Sequence, residues 1–226
     1  MSDFDVISAP LSKRLREGFE RVAAVLRADQ WAATNGVGLN PTQVHVLTFL
    51  AGRNRAGMRV KEIAAHLGVS QPTATDSIAA LERKMLIDKE ADAQDSRATS
   101  VRINARGKEM LKTIGAFPSM VEICLSGLTT DEQANLLQLL VKSIRRMQIA
   151  GSIPVQRMCV TCQHFRPNVY SDAQNPHHCA FVNAAFGNRH LRLDCSDHEL
   201  ADPALQSANW AAYDTGPAPL QAMQPT

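Results

Sequence analysis

Residues 60–83 carry a helical pattern that is interrupted once, and this stretch constrains the fold of the chain more than any other. The first segment, VKEIAAHLGV, is broken by Gly68, and the helical pattern resumes in SQPTATDSIAALER. In the second segment the hydroxyl of Ser70 can accept the amide of Thr73 as an N-cap, and Pro72 suits the first helical turn. Apolar residues then recur at helical spacing at Ala74, Ile78 and Leu81. The pattern predicts a helix, a tight turn and a second helix.

The second helix of this pair buries one apolar stripe, so its polar residues must lie on its flanks and outer face. Short polar side chains at the start of a helix, supported by another helix behind it, are typical of the helix-turn-helix that enters the DNA major groove. An ordinary helical hairpin with a solvated outer face would show the same pattern. On the DNA-binding interpretation, the candidate contact residues are Ser70, Gln71, Pro72, Thr73, Thr75 and Asp76.

Two strand-like segments follow the second helix and indicate a wing. Residues 86–90 (LIDKE) and 98–103 (ATSVRI) both suit strands, and the polar stretch ADAQDSR between them suits an exposed hairpin loop. Residues 56–60 suit a short third strand of the same sheet. A helix-turn-helix followed by a hairpin is a winged helix, and this wing would present Arg97 near its tip as a further DNA contact.

Four segments of the chain, taken in order, resemble the MarR family of bacterial transcriptional regulators. They are LNPTQVHVLTFLA, VKEIAAHLGVSQPTATDSIAALERKMLI, DAQDSRATSVRIN and GLTTDEQANLLQLL, and the similarity spans roughly residues 11–149. Its most specific part is the wing pattern of Asp92, Asp95, Arg97, Val101 and Ile103. The resemblance implies a sequence-specific regulator that binds a double-stranded DNA operator as a homodimer, in which the first and last helices of the two subunits interlock.

Two residues depart from the pattern of that family. Ser96 occupies a position where the family often has another Arg, which weakens the expected contact of the wing with phosphates or the minor groove. Met85 occupies the position where a helix-ending Gly is usual, so we expect another residue to take the left-handed cap conformation.

Apolar helices are predicted on both sides of the winged helix. The first has an apolar face made by Leu11, Leu15, Phe19, Val22 and Leu26. Asn40 is the expected N-cap of the next helix. After the wing, residues 105–125 predict a long helix that Pro118 must kink or break, and residues 130–147 predict a last helix. Terminal helices this apolar need a partner, either a second subunit or the rest of their own subunit.

The composition excludes several classes of protein. With 226 residues, 45% of them hydrophobic, the chain can form one ordinary domain and a smaller one, and no segment is as long as a membrane span. The first residues, MSDFDVISAP, lack the basic and apolar regions of a signal peptide, so we expect a cytoplasmic bacterial protein. We find no Ser/His/Asp order, phosphate loop or HExxH motif, and therefore expect no enzyme.

The character of the chain changes near residue 150 and divides it into three parts. Residues 1–150 form the predicted winged-helix and dimerisation domain, with 20 Lys and Arg against 16 Asp and Glu. Residues 151–200 form a predicted Cys-rich module. We expect residues 201–226, rich in Ala, Pro and Gln, to be a disordered tail in which Trp210 and Tyr213 dock locally. The fold class is therefore mainly α, with a small metal-binding module after the helices.

Four of the five cysteines and five of the seven histidines lie between residues 159 and 198. In a reducing compartment such cysteines are ligands or thiols rather than disulfides. A small, loop-rich module with thiolates beside imidazoles suits a metal, which also supplies the stability that so small a core lacks. The candidate ligands are Cys159, Cys162, Cys179 and Cys195.

The spacing of these cysteines, C-x2-C-x16-C-x15-C, separates two kinds of metal site. A zinc ribbon normally supplies two CxxC pairs, whereas here only the first pair is close, which favours a [4Fe-4S] cluster with widely separated corners. CxxCQxF followed by CAF is similar to high-potential iron–sulfur proteins and to the cluster-binding subunits of glycyl-radical decarboxylases. Zinc remains the alternative, since His177, His178 and His198 keep a mixed site open.

Three functions follow from these patterns. The first is a MarR-type regulator controlled by redox state, oxygen, nitric oxide or iron through the cluster. The second is the same regulator responding to a small-molecule effector, with a purely structural zinc clip. The third is an iron–sulfur electron-transfer or scaffold protein that uses its helices to dimerise.

Overall fold

The computed structural model describes residues 8–53, 57–91, 99–116 and 119–216. The described residues are mainly helical, with two small three-stranded sheets. The helices are α1 (Leu11–Thr34), α2 (Pro41–Ala51), α3 (Val60–Leu67), α4 (Gln71–Arg83), α5 (Ala105–Gly115), α6 (Met120–Leu125), α7 (Thr130–Ile149) and α8 (Pro203–Thr215). The strands are β1 (Met58–Arg59), β2 (Ile87–Ala91), β3 (Thr99–Ile103), β4 (Phe165–Arg166), β5 (His177–Cys179) and β6 (Ala184–Phe186), and 3-10 turns lie at Cys159–Thr161 and Asn188–His190.

Helices α2 to α4 and the first sheet form a winged helix, as predicted. The sheet has the order β1-β3-β2 with all pairs antiparallel, so the predicted third strand is present at β1. Asn40 caps α2 by accepting the amide of Gln43 at 2.9 Å. The core between the helices and the sheet is largely apolar, with Leu47, Ile63, Ile78, Leu81 and Val101 at 1% exposure or less. We call α2, α3, α4 and this sheet the reading head.

The turns that end α3 and α4 share one geometry, although their sequences differ. After α3, the amide of Val69 donates to the Ala64 carbonyl at 3.1 Å, and Gly68 has a φ of 64°. After α4, the amide of Leu86 donates to the Leu81 carbonyl at 3.0 Å, and the residue between them with positive φ is Met85 itself. Both are Schellman caps, which place a left-handed residue just past the helix end.

The expectation that another residue would take the left-handed position after α4 was therefore wrong. Met85 adopts a φ of 57°, and its side chain is 61% exposed, so it meets no crowding beyond its own backbone. The carbonyl of Met85 also accepts a hydrogen bond from the side chain of Asn104 at 3.2 Å, which helps to hold the turn. The cost of a non-glycine residue here is about 1 kcal/mol, which the buried Leu86 next to it can offset.

Helices α1 and α5 to α7 flank the reading head. The long helix predicted over 105–125 is divided into α5 and α6, at the place where Pro118, outside the described residues, was expected to break it. Asp29 on α1 accepts the hydroxyl of Ser119 at 2.8 Å and so ties α1 to the start of α6. The apolar face of α1 remains exposed, with Leu11, Leu15, Phe19, Val22, Val25 and Leu26 between 39% and 62% accessible.

The C-terminal module packs on α7 and extends further along the chain than predicted. Its sheet has the order β4-β5-β6, and its core contains Val141 from α7 together with Met158, Val160, Phe165, Leu191 and Tyr213. Residues 203–215 are helical, which corrects the expectation of a disordered tail there; residues 217–226 lie outside the described ranges. Asp202 caps α8, and burial of Tyr213 holds the helix in place.

Candidate functional site

The N-terminus of α4 forms an exposed polar surface on the reading head. Ser70 accepts the amide of Thr73 at 3.2 Å, as predicted, and its hydroxyl lies 2.8 Å from that of Thr73. The buried residues of α4 are Ala74, Ser77, Ile78 and Leu81. All six candidate contact residues in this part of the chain are exposed: Ser70, Gln71, Pro72, Thr73, Thr75 and Asp76. The structure thus brings them together on one accessible helix end.

Three basic side chains elsewhere on the winged helix form contacts within it. Lys84 donates to the carbonyl of Gly38 and to Gln43. On the wing sheet, Lys89 pairs with Glu82 at 2.6 Å, and Arg102 pairs with Glu90 at 3.1 Å. The seventh DNA candidate, Arg97, lies with the wing tip outside the described residues.

The four predicted ligand cysteines line one pocket in the C-terminal module. Cys159 and Cys162 come from the first 3-10 turn, Cys179 ends β5, and Cys195 lies in the loop after the second turn. The pocket has a volume of about 140 Å³. Its walls are otherwise largely apolar and include Phe165, Phe181, Val182, Ala184 and Phe186. The fifth cysteine, Cys124, lies on α6 and does not line this pocket.

The four thiols share the pocket without converging on a point. Within the described ranges, no group of three or more His, Cys, Asp or Glu side chains is arranged to hold a metal ion. A tetrahedral zinc ion, with Zn–S bonds of about 2.3 Å, would draw its thiolates to within about 3.8 Å of one another. A four-iron cluster would instead need one thiolate at each of four separate corners.

The histidines that kept a mixed zinc site open do not line this pocket. His177 is buried beside Phe165, where its Nδ1 accepts the amide of Asn168 at 3.1 Å and its Nε2 lies 3.0 Å from Asn188. His178 pairs with the Tyr170 hydroxyl, and His198 pairs with that of Thr161. The two histidines that line the pocket are instead His164 and His190.

The electrostatics of the pocket favour a neutral thiol at Cys159. Burial raises the pKa of Cys159 to about 11, although a backbone hydrogen bond from Arg192 acts in the opposite direction. That amide donates to the sulfur of Cys159 at 3.3 Å, and the Arg192 guanidinium donates to the sulfur of Cys195 at 3.5 Å. A metal group that binds here must displace the proton of the Cys159 thiol, and Arg192 provides hydrogen bonds to the sulfurs of both Cys159 and Cys195.

Sequence reasoning missed an ionic contact between the module and the reading head. Asp194, which precedes Cys195, accepts Arg53 and Arg157 at 2.8 Å each. The Arg53 guanidinium lies 3.9 Å from the centre of the Phe49 ring, which His66 also contacts at 4.1 Å. Nothing in the local sequence links residues 53 and 194, which are far apart in the chain.

His66 gives the reading head a pH dependence that can be measured. Burial lowers its pKa from 6.5, and the cations Arg53 and Arg157 lower it further, while Asp194 acts in the opposite direction. The unfolded chain therefore binds more protons just below pH 6.5, so stability is full above that pH and falls as the pH drops through this window. Urea unfolding between pH 5 and 8 should show this loss in the wild type, and H66Q should reduce it.

The comparison of wild type with H66Q separates the contribution of His66 to the pH dependence of stability from that of other histidines. His177 and His198, whose pKa values are also lowered by burial, are retained in H66Q and contribute equally to both curves. Parallel stability curves for the wild type and H66Q would show that His66 does not titrate differently on folding.

Comparisons with known proteins agree with this fold. A sequence model of the MarR family matches residues 37–98. MepR from Staphylococcus aureus, in complex with DNA, is 22% identical, with a TM-score of 0.52 over 62% of this chain and 99% of MepR. The transcriptional regulator SlyA is 22% identical, with a TM-score of 0.51 over 60% of this chain and 94% of SlyA. No curated protein matches the sequence. No helix in the described ranges is long and apolar enough to cross a membrane.

Proposed function

We propose that this chain is a DNA-binding transcriptional regulator of the MarR type, without enzymatic activity. The observation that carries the proposal is the capped N-terminus of α4, whose polar side chains are exposed while α3 and the sheet hold the helix from behind. A helix presented in this way can enter the DNA major groove. The match of residues 37–98 to the MarR family supports the same function, because it spans both helices of the motif.

The proposed regulator is a homodimer. The exposed apolar face of α1 supports this state, since monomeric proteins rarely leave so large a continuous apolar surface in water. In a two-fold dimer, α1 of the second subunit would cover this apolar face. Two reading heads then bind a pseudo-palindrome whose half-sites are about one turn, roughly 34 Å, apart.

The proposed base contacts come from the N-terminal half of α4. Thr75 and Asp76 present a hydroxyl and a carboxylate on its exposed face, and a carboxylate can accept the amino group of a cytosine. The hydroxyl of Thr75 already donates to the carbonyl of Gln71 at 2.9 Å, which leaves its lone pairs for the DNA. Arg97 remains the predicted contact of the wing.

We expect D76A and T75A to change sequence preference. A well-aligned pair between Asp76 and a cytosine contributes about 1–3 kcal/mol of discrimination, so its removal should weaken binding to the preferred operator by about 5- to 150-fold. D76A should also remove repulsion from phosphates, and binding to scrambled DNA should be retained or strengthened. Gel-shift titrations with the chain's own upstream DNA and a scrambled competitor measure both effects.

A matched control is available on α5. The hydroxyl of Thr113 is exposed and donates to the carbonyl of Glu109 at 3.2 Å, which repeats the local bonding of Thr75 on a helix outside the reading head. T113A should therefore bind both DNAs as the wild type does. Equal operator preference in D76A, T75A and T113A would refute the assignment of α4 as the recognition helix.

We further propose that the cysteine pocket holds a [4Fe-4S] cluster, ligated by Cys159, Cys162, Cys179 and Cys195. The apolar walls of the pocket, and a cysteine spacing with only one close CxxC pair, support a cluster over zinc. When bound, such a cluster supplies a redox centre that responds to oxygen, nitric oxide or iron supply. The phenylalanines around the pocket limit the access of water to it. Zinc would instead make the module a structural clip.

The proposed role of the pocket is to control DNA binding. The module packs directly on α7 through Val141 and contacts the reading head through Asp194, so a change in the pocket can affect both. A tenfold change in operator affinity requires the two states to differ by only about 1.4 kcal/mol in their preference for the DNA-competent dimer.

A further inference from the structure

We infer that Asp194 transmits the state of the cysteine pocket to the reading head, through Arg53 and Arg157. This inference rests on the proposed function, because it names the contact by which the pocket would act on DNA binding. The module also packs on α7, so a route through that helix is the competing possibility. The contacts of Asp194 favour the direct route.

Asp194 joins three segments of the chain in one ion-pair cluster. A single carboxylate oxygen, Oδ1, accepts the guanidinium of Arg53 and that of Arg157, each at 2.8 Å. Arg157 also donates to the carbonyl of Gly52 at 2.5 Å, at the end of α2. The side chain of Arg53 is only 7% exposed, so losing its partner would leave a buried cation unpaired.

On the pocket side, the ion-pair cluster is joined to the proposed ligand Cys195 by a peptide bond and a backbone hydrogen bond. Asp194 directly precedes Cys195, and the amide of Cys195 donates to the carbonyl of Arg157 at 3.0 Å. Cys195 is thus connected to Asp194 by the chain and to Arg157 by a hydrogen bond. If the backbone at Cys195 shifts when its sulfur binds or releases iron, Asp194 and Arg157 shift with it.

On the reading-head side, the ion-pair cluster contacts α2 directly and α3 through the ring of Phe49. Arg53 lies over the ring of Phe49 on α2, and that ring packs on His66 of α3. The fit is close, since a Cβ added at Gly52 would lie 3.2 Å from the second carboxylate oxygen of Asp194. Helix α3 packs on α4, so a shift of Arg53 changes the orientation of the recognition helix. A chain of packed contacts of this kind is a physical route for coupling.

The experiment compares operator affinity in two states of the full-length protein, reconstituted anaerobically with ferrous iron and sulfide or left metal-free. The wild type should change its affinity about tenfold between these states. R53M keeps an unbranched side chain over Phe49 but removes the cation, and D194N removes the anion at nearly constant shape. Both variants should lose the difference between the two states.

The matched control is D197N. Asp197 also lies close in sequence to Cys195, but its ion pair is with Arg192 inside the module at 4.0 Å. D197N therefore removes a carboxylate beside the pocket without touching the reading head, and its affinity should still respond to loading. R53M decides the test if D194N loses iron, because Arg53 lies just after α2 and outside the module that holds the cysteines.

Hydrogen exchange provides a readout that does not involve DNA. Loading should slow exchange in residues 49–53 and 60–68 of the wild type but not of R53M. If the wild type responds in DNA affinity and R53M responds equally, the inference is wrong while the proposed regulation stands. If wild-type DNA affinity is the same in both states, the proposed regulation fails. Exchange then decides the inference: protection lost in R53M supports the coupling, and no change on loading in the wild type overturns it.

Discussion

C179S is expected to purify without oxygen as a colourless protein, whereas the wild type should be brown. Serine removes one of the four thiolates that ligate the proposed cluster, which leaves one iron without its protein ligand and the cluster prone to loss. The DNA affinity of C179S should no longer depend on air or reductant, while the reading head and α1 keep the protein a folded dimer. Visible absorption, iron content and gel shifts in air and under nitrogen measure these effects.

The matched control for this substitution is C124S. Cys124 is exposed on α6 and does not line the pocket, so C124S should keep the colour and the response to air. A colourless wild-type protein that contains stoichiometric zinc would contradict the cluster. Identical DNA affinity of wild-type protein in its loaded, oxidised and metal-free states would leave the pocket only a structural role.

F19E is expected to convert the dimer into a monomer at micromolar concentration. Phe19 is 54% exposed at the centre of the apolar face of α1, where a charge would have to be buried against the second subunit. A monomer binds one half-site without the gain from the linked second site, so operator affinity should fall about 100-fold or more. Sedimentation and gel shifts at matched concentrations test both outcomes.

V169E provides the control for exposure and charge. Val169 is also 54% exposed but lies in the C-terminal module, so its replacement should change neither the oligomeric state nor operator affinity. An F19E protein that sediments as a dimer and keeps its affinity would show that the exposed face of α1 is not the subunit interface.

Local signals explain why the reading head could be predicted from the sequence. Ser70 and Asn40 cap their helices through bonds to residues three positions away, and Gly68 ends α3 in the conformation that glycine favours. The cap after α4 could not be predicted in the same way, because Met85 takes a conformation that its side chain does not favour. Its left-handed conformation is held by the hydrogen bond from the Leu86 amide to the Leu81 carbonyl and by the hydrogen bond from the Asn104 side chain to the Met85 carbonyl.

Long-range packing explains what the sequence could not predict. Helix α8 has a weakly apolar sequence, and it is held by contacts with distant residues: Arg146 pairs with Asp214 at 3.0 Å, and Tyr213 packs on Phe165. The spacing of the cysteines predicted a shared metal site, but it could not show that His177, His178 and His198, which were left open as further ligands, do not line the pocket. The ion pair of Arg53 with Asp194 depends entirely on how the module folds back on the reading head.

The shared core of α7 and the C-terminal module has a practical consequence for how the protein can be divided. The change in composition near residue 150 invites a truncation there, which would yield an apparently complete DNA-binding protein. Such a cut removes the residues that cover Val141, only 1% exposed in the intact chain, and leaves the guanidinium of Arg145 without Gln206. Helix α7 would then expose, in addition to the apolar face of α1, an apolar surface that has no role in the proposed dimer. Misassembly of the shortened protein could be mistaken for loss of regulation, so point substitutions are the sounder way to separate the two parts.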